Sequence, residues 1–264
     1  MAWDQVVRTD GQLEVASLAG WHLAVTGTAI PAERYAAEQL QHWLAQATGS
    51  WLPIQVGSRP GERRIFLGED PLLGEEELRL TIAPDSVRIA GGRPRGCLYG
   101  VYQFLEQFLG VRFLTGEHTH VPAPPATLPC GIWRYRPPFS FRWSYYRENA
   151  DQPEFAATLR VNTVTDDERL GGRTPQDLIN HSVHALVPFA THGAAHPEYF
   201  ALVDGQRDTD VHGGGPQLCV TNPAVIEIAA AAAIAHLDAH PGLRNFSVSQ
   251  ADTDRYCRCP DCEA

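Results

Sequence analysis

Six prolines fall within residues 121–138 of this 264-residue chain. Each removes a backbone donor and restricts the residue before it, so such a stretch makes a poor helix and a poor central strand. Residues 121–138 are therefore read as a Pro-rich linker. The sequence on its two sides follows different rules.

Before the linker, apolar spacing defines a small α/β domain over residues 1–120. Residues 23–26 (LAVT) and 65–68 (IFLG) read as strands. Pro31 opens a helix in which Ala36, Leu40, Trp43, Leu44 and Ala47 share a face, and Gly49 is placed to end it. Residues 78–82 and 86–90 alternate about a Pro-Asp turn and read as a hairpin. Leu98, Val101, Tyr102, Leu105, Phe108 and Leu109 line one side of a second helix that Gly110 closes. Two such helices can cover one sheet.

After the linker, short strands alternate with helices. The strands are expected at 141–146 (FRWSYY), 162–165, 182–188 (SVHALVP) and at the start of 245–262 (NFSVSQADTDRYCRCPDC). Asn222 and Pro223 open a long helix, which stops at His240-Pro241-Gly242. Alternation of this kind implies a parallel sheet. The strands end in polar residues: Arg147, Asp166-Asp167, His192 and Gln250-Asp252. Residues 139–264 are thus expected to form the first half of a TIM-type β/α barrel, whose active residues sit at the carboxyl ends of its strands. The fold class is α/β, with an accessory domain ahead of a partial barrel.

A net charge of −10 argues against nucleic acid or an anionic membrane as the main partner. No apolar run reaches about 18 residues, so no membrane span is expected. The most apolar run, 224–237, is too short and contains Glu227 and His236. The first residues lack a basic start followed by an apolar core, so no signal peptide is visible.

Several segments together resemble known families. RGCLYGVYQFLE (95–106) and LGVRF (109–113) resemble the accessory α/β domain that precedes the barrel in α-glucuronidases and N-acetylhexosaminidases. HPEYFALVDG (196–205), QLCVTNP (217–223), SVSQ (247–250), Asp252 and YCRCPDC (256–262) resemble domain of unknown function 4838. Some of its members are endo-β-N-acetylglucosaminidases. The resemblance implies a carbohydrate substrate, a glycosidase when full length, and export from the cell. Family members carry a complete barrel, whereas this chain stops after the fourth expected strand, so its barrel is expected to be truncated. Two other readings follow from the same residues. One is an α-glucuronidase-like hydrolase, with Arg142 or Arg147 holding a substrate carboxylate. The other is a non-catalytic glycan-binding or structural fragment.

Glycoside hydrolysis takes two carboxylates, or one carboxylate that orients a substrate N-acetyl group acting as nucleophile. In the hexosaminidases an acidic pair follows the fourth strand. Asp252 is the nearest match here, followed by Asp254, and no Asp-Glu pair stands at that place. Asp252 is the catalytic candidate. Arg142, Tyr146, Asp166, Asp167, His192 and Gln250 are candidate substrate ligands: aromatic faces stack on sugar rings, and arginine holds carboxylates or hydroxyls. Cys257, Cys259 and Cys262, spaced C-x-C-x-x-C, are close enough to share a zinc ion. Zinc usually takes four ligands, so the fourth is expected from a histidine or from the segment missing after this truncated chain. Disulfides or free thiols are the rivals. No other cofactor is expected.

Overall fold

The computed structural model describes residues 3–57, 59, 61–175, 177, 180–211, 215–243 and 246–264. Met1, Ala2 and Asn245, included in the ranges above, lie outside the described residues. The chain divides into two compact units, Met1–Thr174 and Pro175–Ala264.

The first unit is built on a seven-stranded sheet. Its strands are β1 (Gln5–Glu14), β2 (His22–Val25), β3 (Ile54–Val56), β4 (Arg64–Glu69), β5 (Leu78–Ala83), β6 (Ser86–Gly91) and, after a small hairpin of β7 (Arg112–Phe113) and β8 (Thr119–His120), β9 (Thr127–Tyr135). The order across the sheet is β1-β9-β5-β6-β4-β2-β3. β3, β2, β4 and β6 run parallel, and β5, β9 and β1 add antiparallel pairs.

Helices α1 (Pro31–Thr48) and α2 (Gly96–Phe108) pack side by side on this sheet. Ile65, Leu67, Leu80 and Ile89, alternating along their strands, bury against Ala36, Leu40, Leu44, Leu98, Val101 and Leu105. Gly49 ends α1 in the left-handed region, at φ 75°. Gly96 lets α2 begin close to the sheet: a Cβ there would lie 2.6 Å from the Glu77 carbonyl oxygen.

The linker reading needs correction. Residues 127–135 are β9, a strand bonded on both sides, and the division between units falls after Thr174. The position of Pro129 shows how a proline-rich stretch can do this. β5 accompanies β9 only from Gly131 to Tyr135, whereas Pro129 faces β1 alone, beside an irregularity in the register of that strand. A missing N–H is tolerated where one flank of a strand is free or the ladder is already broken.

The second correction concerns the partial barrel. Among the described residues, 139–264 contain one sheet, the antiparallel pair β10 (Leu202–Val203) and β11 (Gln206–Arg207). The 141–146, 162–165 and 246–249 segments carry no ladder. After α3 (Arg147–Asp151) and α4 (Pro153–Thr158), the 182–188 run forms α5 (Val183–Leu186), with α6 (Phe189–His192) behind it. A short apolar run cannot be assigned to strand or helix by its periodicity. The run does lie beside 246–249, joined by one backbone bond, from the Val183 N–H to the Ser249 carbonyl at 3.1 Å, and by a side chain. The Ser182 hydroxyl donates to the Ser247 carbonyl at 2.6 Å and accepts from the Ser249 N–H at 2.9 Å.

The long helix is α7 (Pro223–Ala239), capped by the Asn222 side chain, which accepts from the Ala224 N–H at 3.0 Å. A short helix, α8 (Pro260–Glu263), closes the chain. Leu186, Val187, Phe200, Leu218 and Val225 form the core of this second unit.

Candidate functional site

The polar centre of the first unit is Glu76. It is 3% exposed and holds a left-handed backbone at φ 62°. Its carboxylate accepts from Arg95 Nε at 2.5 Å, from Arg142 Nη2 at 2.5 Å and from Asn162 Nδ2 at 3.0 Å. Arg95, itself 2% exposed, also donates to the Gly171 and Gly172 carbonyls and to Thr174 Oγ1. Residues 142–174 are thereby fastened to the loop before β5, which is why they belong to this unit. Arg142 was expected to hold substrate. Its remaining donors go to the Arg160 and Phe139 carbonyls, so its guanidinium is a structural tie.

The other expected ligands of this unit lie at its surface. Tyr146 precedes α3 and is 79% exposed. Asp166 pairs with Arg173 at 2.6 Å. Asp167 caps a single 3₁₀ turn, accepting from the Arg169 N–H at 2.8 Å. The Arg169 guanidinium holds the Asp167 carboxyl below the ordinary carboxylate range.

In the second unit, Gln250 and Asp252 are brought together around His181. His181 Nδ1 lies 3.0 Å from the Gln250 carbonyl, and its Nε2 lies 3.9 Å from Asp252 Oδ2. The Gln250 amide donates to the Tyr256 hydroxyl at 2.7 Å. Asp252 remains open to solvent, its side chain 82% exposed. His192 belongs to a different corner, with its ring 5.8 Å from that of Tyr199.

Two buried side chains hold the loop that carries Asp252. Gln217, 3% exposed, donates to the Ala251 and Thr253 carbonyls, both at 2.8 Å, and accepts from the Ala251 N–H. Asp208, 4% exposed, accepts from Arg255 through both carboxylate oxygens, at 2.8 and 3.0 Å. Arg255 keeps the Asp208 carboxyl below its ordinary range.

The cysteine stretch gathers a fourth thiol. Cys219 Sγ lies 3.7 Å from Cys259 Sγ and 3.9 Å from Cys262 Sγ. The sulfurs of Cys219, Cys257, Cys259 and Cys262 all fall within 4.8 Å of one another. All are free thiols. The Cys262 backbone N–H pulls the Cys259 thiol down to about 6, and burial pushes Cys257 up to about 11. Of these two, Cys259 is the one held toward the thiolate.

Residues 113–264 match the model described as domain of unknown function (DUF4838). The chain belongs to the DUF4838 family. Within this DUF4838 chain, residues 11–126 match glycosyl hydrolase family 20, domain 2, in agreement with the resemblance carried by 95–113. No curated protein matches.

Similar solved structures include a β-N-acetylhexosaminidase of Bacteroides fragilis, at 16% identity and TM-score 0.42, covering 61% of this chain and 31% of that one. A Streptomyces plicatus β-hexosaminidase in complex with GlcNAc is 19% identical, with TM-score 0.45 and coverage of 88% and 43%. A Flavobacterium johnsoniae chitobiase is 14% identical, with TM-score 0.46 and coverage of 96% and 44%. The DUF4838 chain spans less than half the length of each.

His181, Gln217 and Cys219 were not singled out from sequence. Gln217 and Cys219 stand in the QLCVTNP motif, which marked the segment without showing what its side chains reach.

Proposed function

We propose that this chain is a glycoside hydrolase-like protein acting on N-acetylglucosamine-containing glycans by substrate-assisted, retaining hydrolysis. The observation that carries this reading is the match of residues 11–126 to domain 2 of glycosyl hydrolase family 20, running into the DUF4838 match that begins at residue 113. In such a reaction the acetamido oxygen of the substrate attacks its own anomeric carbon as the glycosidic C–O bond breaks, a general acid protonates the departing oxygen, a carboxylate orients the acetamido N–H, and water then opens the cyclic intermediate with net retention. Asp252 is the group assigned to the orienting role. Gln250 and His181, which lie next to it, are assigned to sugar hydroxyls. Tyr146, Asp166, Asp167 and His192 are assigned to sugar contacts elsewhere on the chain.

For the α-glucuronidase-like reading, the Arg142 guanidinium is engaged by Glu76, which leaves the carboxylate to Arg147, at the surface beside Asp151. The exposure of Asp252 favours a second reading, non-catalytic glycan binding.

The test is hydrolysis of a chromogenic β-N-acetylglucosaminide and of a GlcNAc-bearing glycan by the chain and by Asp252→Asn. The expected result is turnover that falls about a hundredfold or more in the variant, with an unchanged circular dichroism spectrum. Full activity in Asp252→Asn removes Asp252 from the reaction. Glycan binding by calorimetry without turnover supports the second reading, and turnover of a glucuronide in place of the glucosaminide restores the α-glucuronidase.

A further inference from the structure

Four thiols converge from two distant parts of the second unit. Cys219 follows Leu218, which bridges to Phe200, and its N–H donates to the Tyr199 carbonyl at 2.9 Å. Cys257, Cys259 and Cys262 come from the end of the chain. That end is stitched to the same place: the Arg258 N–H donates to the Leu202 carbonyl at 2.8 Å, and the Leu202 N–H donates to Cys257 Sγ at 3.3 Å. Thr221 Oγ1 lies 3.1 Å from Cys262 Sγ. The sulfurs therefore sit in a fixed frame of backbone bonds, with a backbone donor aimed at Cys257 and the Thr221 hydroxyl beside Cys262.

The spacing is that of a metal site. Zinc holds thiolate sulfur at about 2.3 Å, so the edge of a regular ZnS4 tetrahedron is about 3.8 Å. The two measured separations from Cys219, 3.7 and 3.9 Å, straddle that edge. Four sulfurs with no carboxylate or imidazole among them select zinc or iron over hard cations. Four protein ligands also leave no open position for substrate, which makes the site structural.

We propose that Cys219, Cys257, Cys259 and Cys262 bind one structural zinc ion that clamps the 257–262 segment to the loop before α7. Binding converts the four thiols to thiolates and releases their protons to solvent. The clamp is indirectly a support for the Asp252 loop, since Gln217, two residues before Cys219, holds Ala251 and Thr253. The zinc site is independent of the glycosidase reading and stands or falls by itself.

The test uses the 264-residue chain, reduced, freed of metal and then given Zn²⁺ or Co²⁺. One zinc per chain is expected by elemental analysis, with a four-thiolate charge-transfer and tetrahedral ligand-field spectrum for cobalt. Cys219→Ser should weaken zinc retention beyond about a hundredfold, the upper end for losing a mere outer-shell partner. Cys130→Ser, altered in the other unit, should retain it.

Because Cys219→Ser could also misfold, Cys219→His provides the second arm. It should restore one zinc per chain while shifting the cobalt spectrum to three thiolates and one imidazole. The proposal is overturned if the reduced chain takes up no stoichiometric zinc. It is equally overturned if both Cys219 variants keep the four-thiolate spectrum, or if the chain as isolated carries iron in preference to zinc.

Discussion

Glu76 neutralises two arginines in a region closed to water, and that decides the cost of losing it. With its side chain removed, Arg95 keeps its carbonyl partners and its pairing with Glu75, but its buried charge loses the closest counter-charge. Removing one partner of a buried ion pair typically costs about 3–5 kcal/mol. Glu76→Ala should lower stability on that scale in urea unfolding, and Glu76→Gln by less, because the amide oxygen still accepts. A negligible change in Glu76→Ala would show that the cluster contributes no net stability.

Asp208 makes a pH prediction of definite sign. Arg255 lowers its folded-state value, so the stabilisation is complete above the ordinary carboxylate value of about 3.9 and disappears as pH falls through the lower folded value. Urea midpoints of the wild type should therefore drop across that acid window. Asp208→Asn should be less stable at neutral pH and lack this part of the drop. Parallel profiles for the two proteins would refute the assignment. Asp167 is lowered too, but its pair with Arg169 stands at the surface, where screening leaves it little weight.

At this scale the candidate site was half legible. Gln250 and Asp252 could be named because they follow an apolar alternation and belong to a familiar motif. His181, Gln217 and Cys219 act across long sequence separations, and no local pattern records that a side chain will reach a distant loop.

Among the elements, those with strong periodicity were found where expected. β2 and β4 are short apolar runs, the β5–β6 hairpin alternates about its turn, α1 and α2 carry a repeated apolar face, and α7 stands between Asn222-Pro223 and His240-Pro241-Gly242. β9 was hidden because Pro129 reads as a breaker, and only its pairing with β1 alone explains the exception. The expected barrel strands failed for a different reason: their apolar runs are short, and hydroxyl and amide side chains bind the backbone that a ladder would need.

The α2–sheet contact gives the prediction for this level. Gly96→Ala places a methyl group against the Glu77 backbone, which cannot turn aside as a side chain can. The expected loss is about 1–3 kcal/mol by chemical denaturation. An unchanged midpoint would mean that α2 can shift outward at no cost.

For the molecule as a whole, the two possible boundaries make opposite statements. A chain ending at residue 120 lacks β9, which lies between β1 and β5, and lacks Arg142 and Asn162 from the Glu76 cluster. A chain ending at Thr174 keeps them all. Residues 1–174 should therefore melt cooperatively and resist protease, and residues 1–120 should do neither. Cooperative melting of the shorter piece would return the boundary to the proline-rich stretch.

The placement of β9 also bears on how the protein is made. β1 precedes the other strands of its sheet in the chain, yet its partner in the sheet is β9, more than a hundred residues later. Chains emerge N-terminus first, and so distant a pairing is slow to form. Throughout that interval the nascent chain carries an unpaired β1, and β5 is left as a bare edge open to strands of other chains. A ribosome that stalls between residues 91 and 127 therefore presents an adhesive sheet edge, which closes when β9 slides into place.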